Sequence, residues 1–241
     1  IRDSFKEARD ACHGWLEQDT VSATGYKYLG QAYEGMQDIP NAFFSYNVAY
    51  RRDSLDAQTV ARIANIFNNN RQFTDAIDVT ECYRLSDTTS VDVNRQNAKA
   101  YCMLKDYKKA IERYESLKRM GDRSFLTFYY LGISYYGDNW FYGSYDNLKE
   151  AYAKNSTDIN VLYYYAKSCS RTSWKKEGVE FMEKAVEIAT PGDSILERLY
   201  KGLAECYGYA GESYKKIEVM NRLYKLNKDY KLFYSLSLIH I

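Results

Sequence analysis

The sequence repeats itself every 34 residues, and this period constrains the fold more than any other feature. Stepping along the chain by 34 residues, small side chains recur in one column: Gly30, Ala64, Ala98, Gly132 and Ala166. A second column of small residues keeps the same step: Ala8, Ala42, Ala76, Ala110, Ser144 and Gly178. Large residues recur three positions after the first column, with the last member a smaller exception: Tyr33, Phe67, Tyr101, Tyr135 and Cys169. Columns that keep phase over this length indicate a tandem repeat.

Each repeat has the pattern of two helices. Leu29, Gly30 and Tyr33 lie on one apolar stripe, and a second stripe containing Ala42 and Tyr46 follows after a short polar joint. A small residue on each helix lets the two backbones approach where they cross, and a neighbouring large side chain fills the space beside that contact. With only 2 prolines and 13 glycines, the chain also lacks the regular turn signals of an all-β fold. The sequence therefore predicts an all-α fold of antiparallel helical hairpins.

These columns resemble the tetratricopeptide repeat (TPR) family, whose pattern is a large residue, Leu-Gly or Leu-Ala, an aromatic, then Ala, an aromatic and Ala. The resemblance covers nearly the whole chain and implies a right-handed α-α superhelix, or solenoid. We predict the second helix of a truncated repeat at 1–20, and then repeats at 23–56, 57–90, 91–124, 125–158, 159–192 and 197–230. Residues 231–241 are predicted to be the start of a seventh repeat that ends in an artefactual tail, so we expect a longer native protein.

One departure from the family pattern concerns the ends of the repeats. The family's usual proline is replaced in four repeats by short polar residues, which are Ser54, Thr88, Asp122 and Ser156. Serine, threonine and aspartate are strong helix N-caps, because their side-chain oxygen accepts a hydrogen bond from a free backbone N–H group. We therefore expect these residues to cap the helix that follows.

The composition argues against several classes of partner. Lys and Arg total 33 against 32 Asp and Glu, so no nucleic acid or anionic membrane is expected as the main partner. No run approaches the roughly 18 apolar residues of a membrane span. The 5 cysteines lack any C-x-x-C pair, so we expect small buried side chains and no disulfide framework or zinc site. Unpaired cysteines favour the cytoplasm, but buried thiols also persist in a periplasm, so the compartment stays open.

No catalytic constellation can be assembled from the sequence. His13 is the histidine on which any catalytic arrangement would depend, and on a helix its side chain points about 100° away from that of Cys12. Neither G-x-x-x-x-G-K-[ST] nor G-x-G-x-x-G occurs. The sequence therefore predicts a protein that is not an enzyme, with no metal and no cofactor.

The TPR resemblance implies that the first helix of each hairpin lines a concave groove. The candidate groove residues are those of the first helices that lie outside the apolar stripe. A cationic and amide-rich group, which we name the first groove set, consists of Lys27, Tyr28, Gln31, Arg62, Asn65, Asn69, Arg95 and Lys99. A tyrosine-rich group, the second groove set, consists of Tyr129, Tyr130, Tyr136, Tyr163, Tyr164, Lys167 and Arg171.

The two groove sets together suit a protein or peptide partner that carries carboxylates and apolar anchors. The chaperone-binding members of the family use a clamp of Lys, Asn, Asn, Lys and Arg. The matching positions in this chain are Lys27, Gln31, Arg62, Asp92 and Gln96, so only the first is kept and clamp binding of a chaperone tail is not predicted.

Three functional hypotheses follow from the sequence. The first is a protein–protein interaction scaffold that binds its partner in the groove. The second is a sensory or docking segment of a larger multidomain regulator or enzyme. The third is an RNA-binding helical repeat, which the near-neutral charge disfavours. The sequence does not indicate an oligomeric state.

Overall fold

The computed structural model describes residues 2–190, 192 and 194–226, and within them it contains thirteen α-helices and no strand. The predicted seventh repeat at 231–241 and its tail lie outside these residues. The helices are α1 (Arg2–Gln18), α2 (Ala23–Gly35), α3 (Ile39–Arg52), α4 (Ala57–Asn69), α5 (Phe73–Arg84), α6 (Val91–Met103), α7 (Tyr107–Arg119), α8 (Phe125–Gly137), α9 (Phe141–Lys154), α10 (Ile159–Ser170), α11 (Lys175–Ile188), α12 (Leu196–Ala210) and α13 (Ser213–Leu226).

The chain divides into two compact units, Ile1–Asp122 and Arg123–Ile241. In the first unit α2 packs on α3, α4 on α5 and α6 on α7, and α1 packs on α2 as the second helix of a hairpin does. In the second unit the pairs are α8 with α9, α10 with α11 and α12 with α13. Each predicted repeat from 23–56 to 197–230 thus contains one helix pair, while the boundaries between repeats stay a prediction.

The two small columns lie where the helices of each hairpin cross. Ala98 and Ala110, one from each column, are completely buried. A Cβ atom added to Gly132 would lie 2.5 Å from Leu148, and the Ser144 hydroxyl donates a hydrogen bond of 2.8 Å to the Gly132 carbonyl oxygen. The predicted reason for the small residues, a close approach of two helices, is confirmed.

The first helices α2, α4, α6, α8 and α10 are capped by a column of residues that the sequence analysis did not identify. Each cap accepts a hydrogen bond from the backbone N–H three residues later, at 3.0–3.4 Å, and the caps recur at the repeat period as Ser22, Asp56, Ser90, Ser124 and Asp158. The predicted caps lie two residues earlier, in the turns, so that prediction was wrong for Ser54, Thr88, Asp122 and Ser156. A cap must directly precede the first helical residue for its oxygen to reach that N–H group.

A second unpredicted column lies in the turn inside each of the first four hairpins, from α2–α3 to α8–α9. Its members are non-glycine residues with φ between 61° and 64°, and they are Gln37, Arg71, Lys105 and Asn139. This left-handed conformation brings the Cβ atom of an L-residue too close to the following carbonyl oxygen, at a cost of roughly 1–2 kcal/mol. The turn geometry therefore recurs with the repeat although glutamine, arginine and lysine side chains do not favour it.

We expect Arg71→Gly to raise the free energy of unfolding by about 0.5–1 kcal/mol, because glycine removes the left-handed strain while adding some entropy to the unfolded chain. Urea denaturation followed by circular dichroism measures the change. Asn139→Gly is the matched control and should gain less, since asparagine tolerates this conformation better. Equal gains at both positions, or a loss at Arg71, would contradict the prediction.

Candidate functional site

In the first unit the first helix α4 contacts α6, and in the second unit α10 contacts both α8 and α12. The second helices of adjacent hairpins make no comparable contact within the described part of the chain. Helices that contact each other between adjacent hairpins lie on the shorter, inner side of a curved stack, so these five first helices lie on the inner side of their units. Lys27, Tyr28 and Gln31 lie on α2, Arg171 directly follows α10, and the other members of both groove sets lie on the inner helices.

The cations of the first groove set on α2 and α4 are held by carboxylates of the chain itself. Lys27 Nζ lies 3.3 Å from Asp56 Oδ1, and both side chains are largely buried. Arg62 Nη1 lies 3.2 Å from Glu34 Oε1. Burial raises the pKa of Asp56, but the Thr59 hydrogen bonds and the Lys27 charge outweigh this effect and lower it. These pairs tie one hairpin to the next.

The same holds for the next repeat. The Arg95 guanidinium lies 2.9 Å from Asp122 and 2.8 Å from Asp92. Lys99 donates a hydrogen bond of 3.3 Å to Asn69, and burial lowers the pKa of its ammonium group. Sequence reasoning missed the carboxylate partners, although three of them lie a little less than one repeat away from their cation, which is the signal that could have found them.

The other members of the first groove set make fewer polar contacts. Tyr28 is exposed, and Gln31 and Asn65 are half-buried. Tyr28 and Gln31 line a cavity between α1 and α2 together with Trp15. The first groove set is therefore spread along its unit and offers little unpaired charge.

The second groove set gathers around Lys167. Its ammonium lies 2.6 Å from Glu205 Oε2 on α12 and 5.7 Å from the ring centroids of both Tyr136 and Tyr163. Burial disfavours the charged ammonium, but the hydrogen bond with Glu205 and the neighbouring tyrosines outweigh this effect and raise the pKa of Lys167. Lys167 is therefore a fixed positive charge that already has a carboxylate partner.

Arg171 has a different environment. Its guanidinium lies over the ring of Phe141, 4.3 Å from the ring centroid, and 5.4 Å from the ring centroid of Tyr209 on α12. The residue is exposed and forms no ion pair within the described residues. Stacking on two rings holds a guanidinium flat while its N–H edge stays open to a ligand. Arg171 is thus a positioned cation that lacks a carboxylate.

The tyrosines of α8 and α10 form a connected aromatic surface. The Tyr129 ring packs edge-on against Tyr130, with centroids 5.0 Å apart, and Tyr163 packs edge-on against Tyr164 at 5.2 Å. Tyr136 and Tyr164 connect the two helices, with ring centroids 6.0 Å apart. All five are half-buried, and burial raises the pKa of Tyr129, Tyr136 and Tyr163. The structure thus brings the second groove set together on one face.

Three residues that sequence reasoning missed extend this face. They are Glu205 and Tyr209 of α12 and Arg198, whose guanidinium lies 4.6 Å from the Tyr163 ring centroid. No groove residue was assigned to α12, although the sequence analysis placed its repeat at 197–230. Extending the groove assignment to the first helix of that repeat was the step that could have found them.

The histidine and cysteines considered for catalysis or metal binding do not form a reactive site within the described residues. His13 Nε2 lies 3.3 Å from the Tyr33 hydroxyl. Of the cysteines, all are buried except Cys82, for which the prediction of burial was wrong: it is exposed and lines an open depression beside Tyr50 and Val79. Across the described ranges no group of three or more His, Cys, Asp or Glu side chains could hold a metal ion. No helix among these residues is both long and apolar enough to cross a membrane.

Comparison with known proteins identifies relatives by fold. No family model matches the sequence, and no curated protein matches it significantly. The solved structure of YrrB, described as a TPR protein with an unusual peptide-binding site, is similar with a TM-score of 0.64 and 14% identity over 78% of this chain and 96% of that one. A tetratricopeptide repeat protein from Parabacteroides merdae has a TM-score of 0.63 and 11% identity, over 97% and 92% of the two chains. The C-terminal part of a TPR repeat-containing protein from Cytophaga hutchinsonii has a TM-score of 0.63 and 16% identity, over 98% and 95%.

Proposed function

We propose that this chain, whose fold is that of a tetratricopeptide repeat protein, is a protein-interaction scaffold that binds a peptide segment on the inner face of its second unit. The observation that carries the proposal is the connected surface of tyrosines and cations on α8, α10 and α12. The peptide-binding site named for YrrB supports it, because that protein has the same fold.

The tyrosines suit this role because their conformations are already restricted. Tyr136 and Tyr164 hold each other by ring contacts, so little side-chain entropy is lost when a ligand covers them. Each ring offers a large apolar area with a hydroxyl at its edge, which fits an extended backbone that needs both apolar contact and hydrogen bonds. The second groove set is therefore the proposed contact surface.

The first groove set is assigned a smaller part in binding. Lys27, Arg62 and Arg95 have carboxylate partners in the chain, so a ligand carboxylate must compete with an ion pair that already exists. The second groove set offers Arg171, which has no such partner in the described part of the chain. We therefore place the anchoring contacts on the second unit.

Peptide selection tests this proposal. Peptides of twelve residues are selected from a random display library on the wild-type chain, and their affinities are then compared with those for two variants. We expect Tyr164→Ala, on the inner face, to lower the affinity at least tenfold, because buried aromatic anchors dominate such interfaces. Tyr142→Ala is the matched control and should have little effect, since Tyr142 lies on the second helix α9 and is 54% exposed.

Two results would contradict the proposal. One is a selection that enriches no peptide above the background. The other is a set of peptides that bind Tyr164→Ala and wild type equally well while both variants keep the wild-type circular dichroism. Single-stranded RNA added as a competitor tests the RNA-binding hypothesis in the same assay: displacement of the peptides with a steep salt dependence would favour it.

A further inference from the structure

A cavity of about 580 Å³ lies between α12 and α13, beside the surface proposed for peptide binding. Ala204, Met220 and Leu223 form its apolar wall, and Tyr209 and Lys216 also line it. Its volume lies within the range of roughly 300–1,000 Å³ that is typical of ligand pockets. The cavity can therefore accept an apolar side chain of the size of leucine.

Tyr209 joins this cavity to Arg171. The same ring lines the cavity and lies 5.4 Å from the Arg171 guanidinium. On the other side, a Cβ atom added to Gly208 would lie 4.0 Å from Lys216 Nζ, so the ammonium stands close to the cavity wall. An apolar space is thus flanked by two cationic side chains that belong to different helices.

The charge around the cavity is positive. Glu205 and Lys201 line the cavity, and each has an ion-pair partner: Glu205 pairs with Lys167 at 2.6 Å, and Lys201 pairs with Glu197 at 2.8 Å. Within each of these two ion pairs, the positive and the negative charge cancel. Arg171 and Lys216 have no ion pair within the described residues and leave two positive charges in excess. Charge complementarity therefore favours a ligand that brings a carboxylate to the cavity.

We propose that this cavity binds the apolar side chain of a partner peptide whose adjacent Asp or Glu carboxylate pairs with Arg171 and Lys216. The proposal rests on the proposed function and names the chemistry of its partner. Lys216 lines the cavity, and Arg171 lies beside the Tyr209 ring that also lines it, so both cations stand at the edge of the cavity where an adjacent acidic residue would lie. Tyr209 covers the peptide between the two contacts, with its ring against the apolar side chain and against the Arg171 guanidinium.

The probes are three fluorescein-labelled octapeptide pools with random flanking positions and a fixed central pair, Leu-Glu, Leu-Gln or Ala-Glu. Fluorescence anisotropy measures their affinity for the full chain. We expect the Leu-Glu pool to bind at least tenfold more tightly than either of the others, because Leu-Gln lacks the charge and Ala-Glu lacks the apolar side chain. Equal binding of the three pools, or no binding of the Leu-Glu pool, would overturn the inference.

Substitutions test which residues contact the carboxylate and the apolar side chain of the peptide. Arg171→Gln and Lys216→Gln should each lower the affinity for the Leu-Glu pool about tenfold and lower that for the Leu-Gln pool much less. Gly208→Leu should fill the cavity and abolish the preference for leucine over alanine. Arg222→Gln is the matched control on α13, because its partner Glu218 lies 2.7 Å away and neither residue lines this cavity.

The outcomes separate this inference from the proposed function. If Tyr164→Ala lowers peptide affinity while Arg171→Gln and Lys216→Gln do not, the scaffold function stands and this inference is wrong. If Gly208→Leu has no effect while retaining the wild-type circular dichroism, something other than a peptide side chain occupies the cavity, such as another segment of the chain. If the affinity falls as the protein concentration rises, a second copy competes for the cavity, which also overturns the inference.

Discussion

The Gly178→Ala variant is expected to unfold with a free energy about 2 kcal/mol below that of the wild type. Gly178 lies in the first turn of α11, where that helix crosses α10. A Cβ atom at this position would lie 2.8 Å from the Ala166 carbonyl oxygen and 3.0 Å from the Ser170 backbone nitrogen. Because both atoms belong to the backbone of α10, the clash can be relieved only by moving one helix, which costs roughly 1–3 kcal/mol or more.

The same substitution at Gly208 is the matched control within the second unit. Gly208 lies inside α12 and is exposed, and its nearest neighbour for an added Cβ would be the Lys216 side chain at 3.8 Å, an ordinary contact. Gly208→Ala should therefore raise the stability by about 0.5–1 kcal/mol through helix propensity. Urea denaturation of both variants measures the difference, and a neutral or stabilising effect at Gly178 would show that the helices do not approach as described.

Asn97→Leu is expected to lower the free energy of unfolding by about 2–4 kcal/mol, because it removes three hydrogen bonds, two of them to charged groups, and places an apolar side chain against those groups. Asn97 is completely buried in α6. Its amide nitrogen donates to Thr80 Oγ1 at 2.9 Å and to Glu81 Oε1 at 3.0 Å, and its amide oxygen accepts from Arg113 Nε at 3.2 Å. One side chain thus joins α5, α6 and α7.

Asn69→Leu is the control, since Asn69 is an exposed amide whose removal should change the stability by less than about 0.5 kcal/mol. The pH dependence supplies a second readout. Burial raises the pKa of Glu81, but the Asn97 hydrogen bond and the Arg113 and Arg84 charges outweigh this effect and lower it. The stabilisation by ionised Glu81 is fully present above its ordinary pKa and is lost as the pH falls through its folded pKa. The free energies of unfolding of the wild type and Asn97→Leu should therefore differ less at acid pH. A difference that widens in acid would contradict this role of Asn97.

The hairpin architecture was predictable because it depends on a local and repeated pattern. The small columns containing Ala98 and Ala110 are buried at the crossings of the five hairpins from α2–α3 to α10–α11, while Ala8 on α1, outside these hairpins, is exposed. The capping column was missed, because a cap depends on the residue at which a helix begins, and the resemblance placed that boundary two residues too early. The left-handed column was missed because three of its four residues, Gln37, Arg71 and Lys105, have side chains that do not favour that conformation.

The candidate site was predictable only in part. The positions on the first helices follow from the repeat, and the structure brings the five tyrosines of the second groove set onto one face. The repeat pattern did not reveal that the cations of the first groove set are already paired with carboxylates. Lys27 and Arg62 are bound to Asp56 and Glu34, which lie in neighbouring hairpins. Whether a cation is available to a ligand depends on these contacts between repeats, which no single helix pattern contains.

The sequence by itself determined that this chain forms helical hairpins, because burial of one apolar stripe per helix imposes a period that can be read from the residues alone. Only the tertiary structure decided which charges are available, since an ion pair depends on distances between side chains far apart in sequence. Arg171 and Lys216 look no different from Lys167 in the sequence. They differ because Glu205 lies within 2.6 Å of Lys167, while Arg171 stacks on Phe141 and Tyr209.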